Sequence, residues 1–438
     1  MKRLLPLLAC AAFGIARVAQ GAAAAPAAES SVDAALAAAK REQRPLLLDF
    51  QAQWCYSCYY MATHVLSGAK WQPLKQRVHL TEVDADSPDG AAWMKKLAIK
   101  ALPSYVVLKA DGSELGRIVA EQPPEKFYAA LKKILAGHDA IDALMEKAKS
   151  GAPADIAAVL ASLEARDELQ AGLDWYGTLP EAQRKLADND AQVTLWRDRL
   201  RMEAAAKGHE NSACVSAAQH VLARDIGCDR YYVMEQLLTC SEKMADAQRK
   251  AILAKQQAPL EALLDKQVLI AAPQCADQRT AVFAAAELAK ALGDKAAESA
   301  VLDRAIAFVR KQLGDNYAQD RNLADNLRVY LVRAGRDAEL DALMPKLMAA
   351  YPDDYVYAYR YGRTLLERNQ PAEALKYLDQ AAAKTFGVNR LIVAQLRVKA
   401  LLALKRRGDA EKVAADALAA NGPWFPEEAE KLKKLLES

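Results

Sequence analysis

The strand-forming signals of this chain stop near Gly137, and the roughly 300 residues beyond it show only helical spacing. Ala, Leu, Lys, Glu and Arg dominate residues 138–438, broken by short polar or Gly/Pro turns, so this part is expected to be all-helical. The fold is thereby confined to two blocks, a small α/β domain followed by a large all-α region.

Within residues 31–137 the pattern alternates. An Ala-rich helix is predicted over 32–42, an apolar strand from Pro45 to Phe50, a helical stretch from Cys55 and a second apolar run ending at Val83. A helix over about 90–97 and strands 104–109 and 115–119 flanking the Asp111-Gly112 turn follow. Pro123-Pro124 opens a last helix running to Leu135, because proline suits a first helical turn.

The C-terminal part repeats itself. Gly335, Asn369 and Gly408 read as turns between paired helices, 34 and 39 residues apart. Residues 277–438 therefore resemble a tetratricopeptide (TPR) solenoid, whose 34-residue unit buries its apolar faces only against the next unit. Tyr355 to Ala381 is the nearest match: Gly362 falls where two helices approach, Ala374, Leu378 and Ala381 continue the packing face, and Pro352 ends the preceding unit. A weaker copy centres on Gly293. Residues 138–276 form a further helical domain without assignable repeat boundaries, and an ordinary helical bundle is the alternative for both parts.

The start of the chain reads as a cleaved export signal. Lys2 and Arg3 precede an apolar stretch from Leu4 to Ala16, and small residues fill Val18 to Ala25. Cleavage is placed after residue 22, within 21–25, with 23–30 as a low-complexity tether. Cys10 faintly resembles a lipidation site, but Leu8 suits that motif poorly. Thirteen apolar residues fall short of the roughly 20 that span a membrane, and no later run compares, so no span is expected in the mature chain. Removing Lys2, Arg3 and Arg17 cancels the formal charge of +3. A nucleic-acid partner, which would need an excess of basic residues to neutralise phosphates, is excluded.

The chemistry concentrates at Trp54-Cys55-Tyr56-Ser57-Cys58, just after a buried strand and at a helix start. Unpaired N–H groups and the helix dipole favour a thiolate there, making Cys55 the candidate nucleophile. Cys58 returns over it within one turn and can resolve a mixed disulfide.

Residues 31–137 resemble a thioredoxin-fold domain, in particular the C-terminal periplasmic domain of DsbD-type thiol–disulfide interchange proteins. The likeness rests on Leu48-Asp49-Phe50-Gln51-Ala52-Gln53-Trp54-Cys55 and on Leu102-Pro103-Ser104. It implies that Asp49 assists proton transfer at Cys58 and that Pro103 forms a cis peptide bond facing the cysteines. It also implies that Leu102 and Pro103, with Trp54, Tyr56 and Ser57, contact the substrate strand. Tyr56-Ser57 replaces the Gly-Pro of ordinary thioredoxin, which bears on redox poise.

Zinc would need two more ligands at matching spacing, and His64, six residues after Cys58, reads as helix surface. Asp84, Asp86 and Asp89 look superficially like a calcium loop, but Lys95 stands where a bidentate Glu is required, so a solvated loop is expected. Trp71 and Trp93 are assigned to packing. No metal or cofactor is expected.

Cys214, Cys228, Cys240 and Cys275 are expected to form two structural disulfides. Cys228–Cys240 is disfavoured because twelve helical residues would separate them by about 18 Å, which leaves two connectivities, Cys214–Cys228 with Cys240–Cys275 and Cys214–Cys240 with Cys228–Cys275. A helical hairpin of 211–223 and 229–243 favours Cys214–Cys240 and Cys228–Cys275.

Two functions emerge. One is a periplasmic thiol–disulfide oxidoreductase, a reductase or isomerase of protein clients, recharged by a membrane thiol–disulfide electron donor, with the helical repeats as docking surface. The other is a TPR-type binding scaffold with a minor thioredoxin-like module.

Overall fold

The computed structural model describes residues 31–137 and 140–437. The expected export signal, Cys10, the cleavage site and the 23–30 tether lie outside the described residues.

The N-terminal domain runs α1 (Val32–Glu42), β1 (Leu46–Gln51), α2 (Tyr56–Tyr60), α3 (Gly68–Lys75), β2 (His79–Asp84), α4 (Pro88–Lys96), β3 (Ser104–Leu108), β4 (Glu114–Val119) and α5 (Pro124–Leu135). The sheet order is β2-β1-β3-β4, with β1 parallel to β2 and antiparallel to β3. Strand β1 is central and is covered on both faces, hence its apolar run, interrupted only by the buried Asp49 before Phe50. Leu47 joins Trp71, Phe127 and Leu131 on one face, while Leu46, Leu48 and Phe50 join Val32 and Trp93 on the other. Asp49, two residues after Leu47, shares the face of Leu47. Helix α3 has no counterpart in the sequence reading, because Pro73 lies inside it and only Trp71 and Leu74 are buried.

The helical region comprises α6 (Ile141–Ala148), α7 (Pro153–Ala165), α8 (Leu169–Thr178), α9 (Glu181–Ala187), α10 (Ala191–Lys207), α11 (Asn211–Leu222), α12 (Arg230–Cys240), α13 (Asp246–Leu253) and α14 (Gln257–Leu263). It continues through α15 (Gln278–Leu292), α16 (Lys295–Leu313), α17 (Arg321–Arg333), α18 (Asp337–Ala350), α19 (Val356–Glu367), α20 (Pro371–Ala382), α21 (Asn389–Ala403), α22 (Arg407–Asn421) and α23 (Pro426–Glu437). No described helix is long and apolar enough to cross a membrane.

From α15 onward the helices stack as TPR-like pairs. Left-handed residues Gly293, Gly335, Asn369 and Lys405 turn each first helix into its second, at φ of 84°, 64°, 57° and 60°. The last of these corrects the expected turn at Gly408, which lies inside α22. An ordinary Lys takes the left-handed position there, so glycine spacing misplaced the turn. Gly362 lets α19 and α20 touch, since a Cβ there would stand 2.7 Å from Leu378 Cγ. One continuous core extends from Met202 to Leu432, so helices on both sides of residue 276 share it.

Disulfides join Cys214 to Cys240 and Cys228 to Cys275, with Cα separations of 6.1 and 5.5 Å. The first staples α11 to the end of α12. The second ties the turn before α12 to the loop before α15.

Candidate functional site

Strand β1 delivers the chain into a short turn that ends at Cys55, which caps α2. Its Sγ accepts the Cys58 amide at 3.1 Å, and the two cysteines form a disulfide. Both are buried, at 4% and 5% exposure. Leu102, Ala52 and Ala85 pack against them. The Leu102-Pro103 peptide bond is cis, and the Pro103 carbonyl accepts the Ala120 amide at 2.9 Å, which ties the loop after β4 to the same place.

Two buried carboxyls accompany the pair. Burial pushes the Asp49 carboxyl up to about 8, with the Glu82 charge adding to the effect, and its Oδ1 has no hydrogen-bond partner. Glu121, in the loop after β4, is likewise pushed up to about 8, first by burial and then by Asp277, while the Ser57 side chain pulls the other way. A neutral carboxyl avoids the cost of a buried unpaired charge.

The helical region is seated directly on this loop. The Tyr56 hydroxyl donates to Asp277 Oδ2 at 3.3 Å and lies 3.4 Å from Thr280 Oγ1, and the Arg279 guanidinium covers its ring at 3.6 Å. Asn322 Nδ2 donates to the Tyr56 carbonyl at 2.8 Å, and Arg360 Nη2 to the Trp54 carbonyl at 2.7 Å. Arg321 stacks on Tyr59 at 4.1 Å. These groups come from or directly precede α15, α17 and α19, the first helices of successive pairs.

His64 is exposed on its helix, as expected, and its Nε2 also meets Asp320 Oδ2 at 2.9 Å across the junction. One sequence expectation changes here. The loop holding Asp84, Asp86 and Asp89 is not solvated at its centre: Asp86 is 5% exposed, accepting from the Trp54 indole at 3.0 Å and from Asn389 at 2.8 Å. Its backbone carbonyl accepts the Val388 amide at 3.0 Å, and Asp89 takes the Val32 amide at 2.9 Å. The polar groups of this loop are thus used by α21 and α1. Among the described residues no group of three or more potential metal ligands occurs.

A cleft of about 500 Å³ remains open beside the cis-proline loop. Ala101, Ser104 and Ala120 line one side, and Trp196, Arg199 and Tyr232 the other.

A thioredoxin-like family model matches residues 27–110. The thiol:disulfide interchange protein DsbD of Ralstonia nicotianae is 33% identical over 109 residues, which cover 24% of this chain and 18% of that protein. A thioredoxin H-type of Fagopyrum esculentum is 33% identical over 90 residues, covering 20% of this chain and 72% of that protein. The chain belongs to the thioredoxin-like family. Among solved structures, the oxidised DsbD C-terminal domain of Neisseria meningitidis aligns at 25% identity, covering 23% of this chain and 91% of that one, with a TM-score of 0.22. The chain spans under a fifth of the length of the DsbD relative from Ralstonia.

Membership in the thioredoxin-like family and the Cys55–Cys58 pair support thiol–disulfide oxidoreductase chemistry at family level. The structure brings Cys55, Cys58 and Leu102 into one cluster, with Pro103 next to Leu102. Trp54, Tyr56 and Ser57, expected to meet a substrate, have Asp86, Asp277 and Glu121 as neighbours, and Trp54 stays 41% exposed. Glu121, Asp277, Arg279, Asn322 and Arg360 are the residues that sequence reasoning missed. Asp277 carries the signal of a helix cap, and its side chain does accept the Thr280 amide at 2.9 Å. Nothing local points to the redox loop, which lies more than 200 residues away.

Proposed function

We propose that the chain is an exported, periplasmic thiol–disulfide oxidoreductase that reduces or isomerises disulfides in protein clients. The reading is carried by a buried Cys55–Cys58 disulfide with Leu102 of the cis-proline loop packed against it, in a thioredoxin-like domain. Cys55 attacks the client disulfide, forming a mixed disulfide and expelling the first client thiolate. Cys58 then attacks Cys55 Sγ, re-forming the internal disulfide and releasing the second thiolate. Asp49 exchanges the Cys58 proton, a role supported by its burial and its raised carboxyl. Leu102 and Pro103 orient the client strand. The spent disulfide is reduced by a membrane thiol–disulfide donor.

The helical region acts in this reading as a cover that selects clients, because its first helices occupy the face of the redox loop. An extended client segment approaches through the cleft between the cis-proline loop and Trp196. The alternative of a pure binding scaffold has less support, since those first helices are already engaged by the chain's own α/β domain.

Insulin reduction by wild type, Cys55→Ala and Cys58→Ala tests the reading: both variants should lose turnover. Equal turnover in all three would overturn it. A Cys58→Ala protein should also retain clients as mixed disulfides.

A further inference from the structure

Two helices of the C-terminal region bring guanidinium groups to the residues on either side of Cys55. Arg360 donates to the Trp54 carbonyl at 2.7 Å, immediately before the cysteine, and Arg279 covers the Tyr56 ring at 3.6 Å, immediately after it. Both also reach one carboxylate. Asp325 is fully buried and meets Arg279 at 2.6 Å, Arg360 at 2.5 Å and Arg328 at 2.8 Å. Three positive charges stand against Asp325 and against Asp277 at Tyr56, so the helical region brings an excess of one positive charge to the redox loop.

The distances make this charge relevant to the sulfur. Bond lengths keep Cys55 Sγ within about 5 Å of the Trp54 carbonyl oxygen, which puts the Arg360 guanidinium within about 8 Å of it. A buried junction screens such a pair far less than water does. The other charged groups around the loop are carboxyls: Asp49 beneath it, Asp86 at Trp54, Glu121 at Ser57 and Asp277 at Tyr56. Burial holds Asp49 and Glu121 toward their neutral forms near neutral pH, so these two offset little of the arginine charge, while Asp86, raised by burial but held down by its hydrogen bonds from Asn389 and Trp54, and Asp277 count against it. His64 is paired with Asp320 and Arg321 with Asp354, which removes both from the balance.

We propose that Arg279 and Arg360 are positioning residues of the redox site, supplied by the helical region, which stabilise the Cys55 thiolate and raise the reduction potential of the Cys55/Cys58 couple above that of the α/β domain alone. A cation beside a cysteine favours the charged sulfur and so the reduced state. The inference rests on the proposed redox role of the pair. It gives the helical region a chemical contribution as well as a steric one.

The test uses the full chain with Arg360→Gln, Arg360→Lys, Arg279→Gln and Arg279→Lys. The pH dependence of Cys55 alkylation by iodoacetamide, located by peptide mapping, reports the thiol, and equilibration with glutathione reports the couple. Each Gln variant should raise the Cys55 pKa by about one unit, a roughly tenfold slower alkylation below that pKa, and make the couple more reducing. Each Lys variant should keep most of the wild-type profile, because charge is retained. A folded Gln variant with the wild-type profile and potential overturns the proposal, as does a Lys variant shifted as far as Gln. Failure of the wild-type pair to equilibrate with glutathione would instead defeat the redox reading, so the two failures are distinct.

Discussion

The Tyr56 hydroxyl donates to Asp277 Oδ2 at 3.3 Å, joining a residue between the two cysteines to the cap of α15. Tyr232 donates to the same oxygen at 3.1 Å, so a single carboxylate gathers the redox loop, α12 and α15. The Cys228–Cys275 disulfide lies just behind this junction, four residues before Tyr232 and two before Asp277.

Access to the cysteines should therefore depend on how tightly the two regions are seated. Gly387 approaches the Asp86 carbonyl so closely that a Cβ would lie 1.9 Å from its oxygen, and its φ is +53°. Gly387→Ala should force the junction apart while leaving both cores intact. Reduced protein carrying this change should react with a bulky maleimide several-fold faster than wild type, as read by gel shift. Tyr56→Phe, which removes a hydrogen bond of about 1 kcal/mol, should have a smaller effect. Equal labelling rates in wild type and Gly387→Ala would show that the junction does not limit access.

Asp49 should make stability fall with rising pH. Its carboxyl titrates at about 8 in the folded chain against an ordinary 3.8, so between these values the folded state holds a proton that the unfolded state has released. That difference removes roughly 1.4 kcal/mol of stability per pH unit across the window. Asp49→Asn does not titrate. Its advantage in urea unfolding over wild type, both with Cys55–Cys58 oxidised, should therefore grow from pH 5 to pH 8. A constant difference between the two proteins would contradict the raised carboxyl.

The sequence made the α/β domain legible because β1, with both faces covered, reads as an apolar run, and because the cysteine spacing and Pro103 sit in a recognisable order. The helix pairs were legible where small residues mark close approach, as at Gly362 and Ala374. What stayed hidden was the contact between the regions. Asp86 and His64 look like surface residues in their local context, and only residues some 250 to 300 positions away make them partners. Asp277 and Asp320 look like caps, and they are caps, but their remaining capacity is spent on Tyr56, Tyr232 and His64. Helix α3 was hidden for a different reason: an internal proline removes one of its backbone donors.

The two disulfides of the helical region should contribute unequally. They close loops of 26 and 47 residues, for which the chain-entropy relation gives about 3.5 and about 4 kcal/mol. Replacing Cys228 and Cys275 together by Ser should lower the urea midpoint at least as much as replacing Cys214 and Cys240. The first replacement should also speed Cys55 labelling, because it frees the loop that carries Asp277. The second should leave that labelling unchanged. A loss of stability confined to the Cys214/Cys240 variant would contradict this ordering.

Asp325 should be among the costliest single positions in the helical region. Burial alone would raise its carboxyl, but Arg328, Arg360 and Arg279 hold it well below the usual carboxylate range. Asp325→Asn keeps the shape and leaves three buried guanidinium groups without their counter-charge, which should cost about 3 to 5 kcal/mol in urea unfolding. A depressed carboxyl contributes stability that is present above its ordinary value of 3.8 and is lost as pH falls through the lower folded value. Wild type should therefore lose stability below about pH 4 in a way that Asp325→Asn does not. Because Arg279 and Arg360 also hold Tyr56 and Trp54, the variant should in addition label faster at Cys55 under conditions where it remains folded. Unchanged stability together with unchanged labelling would mean that the hub holds neither the helices nor the redox loop.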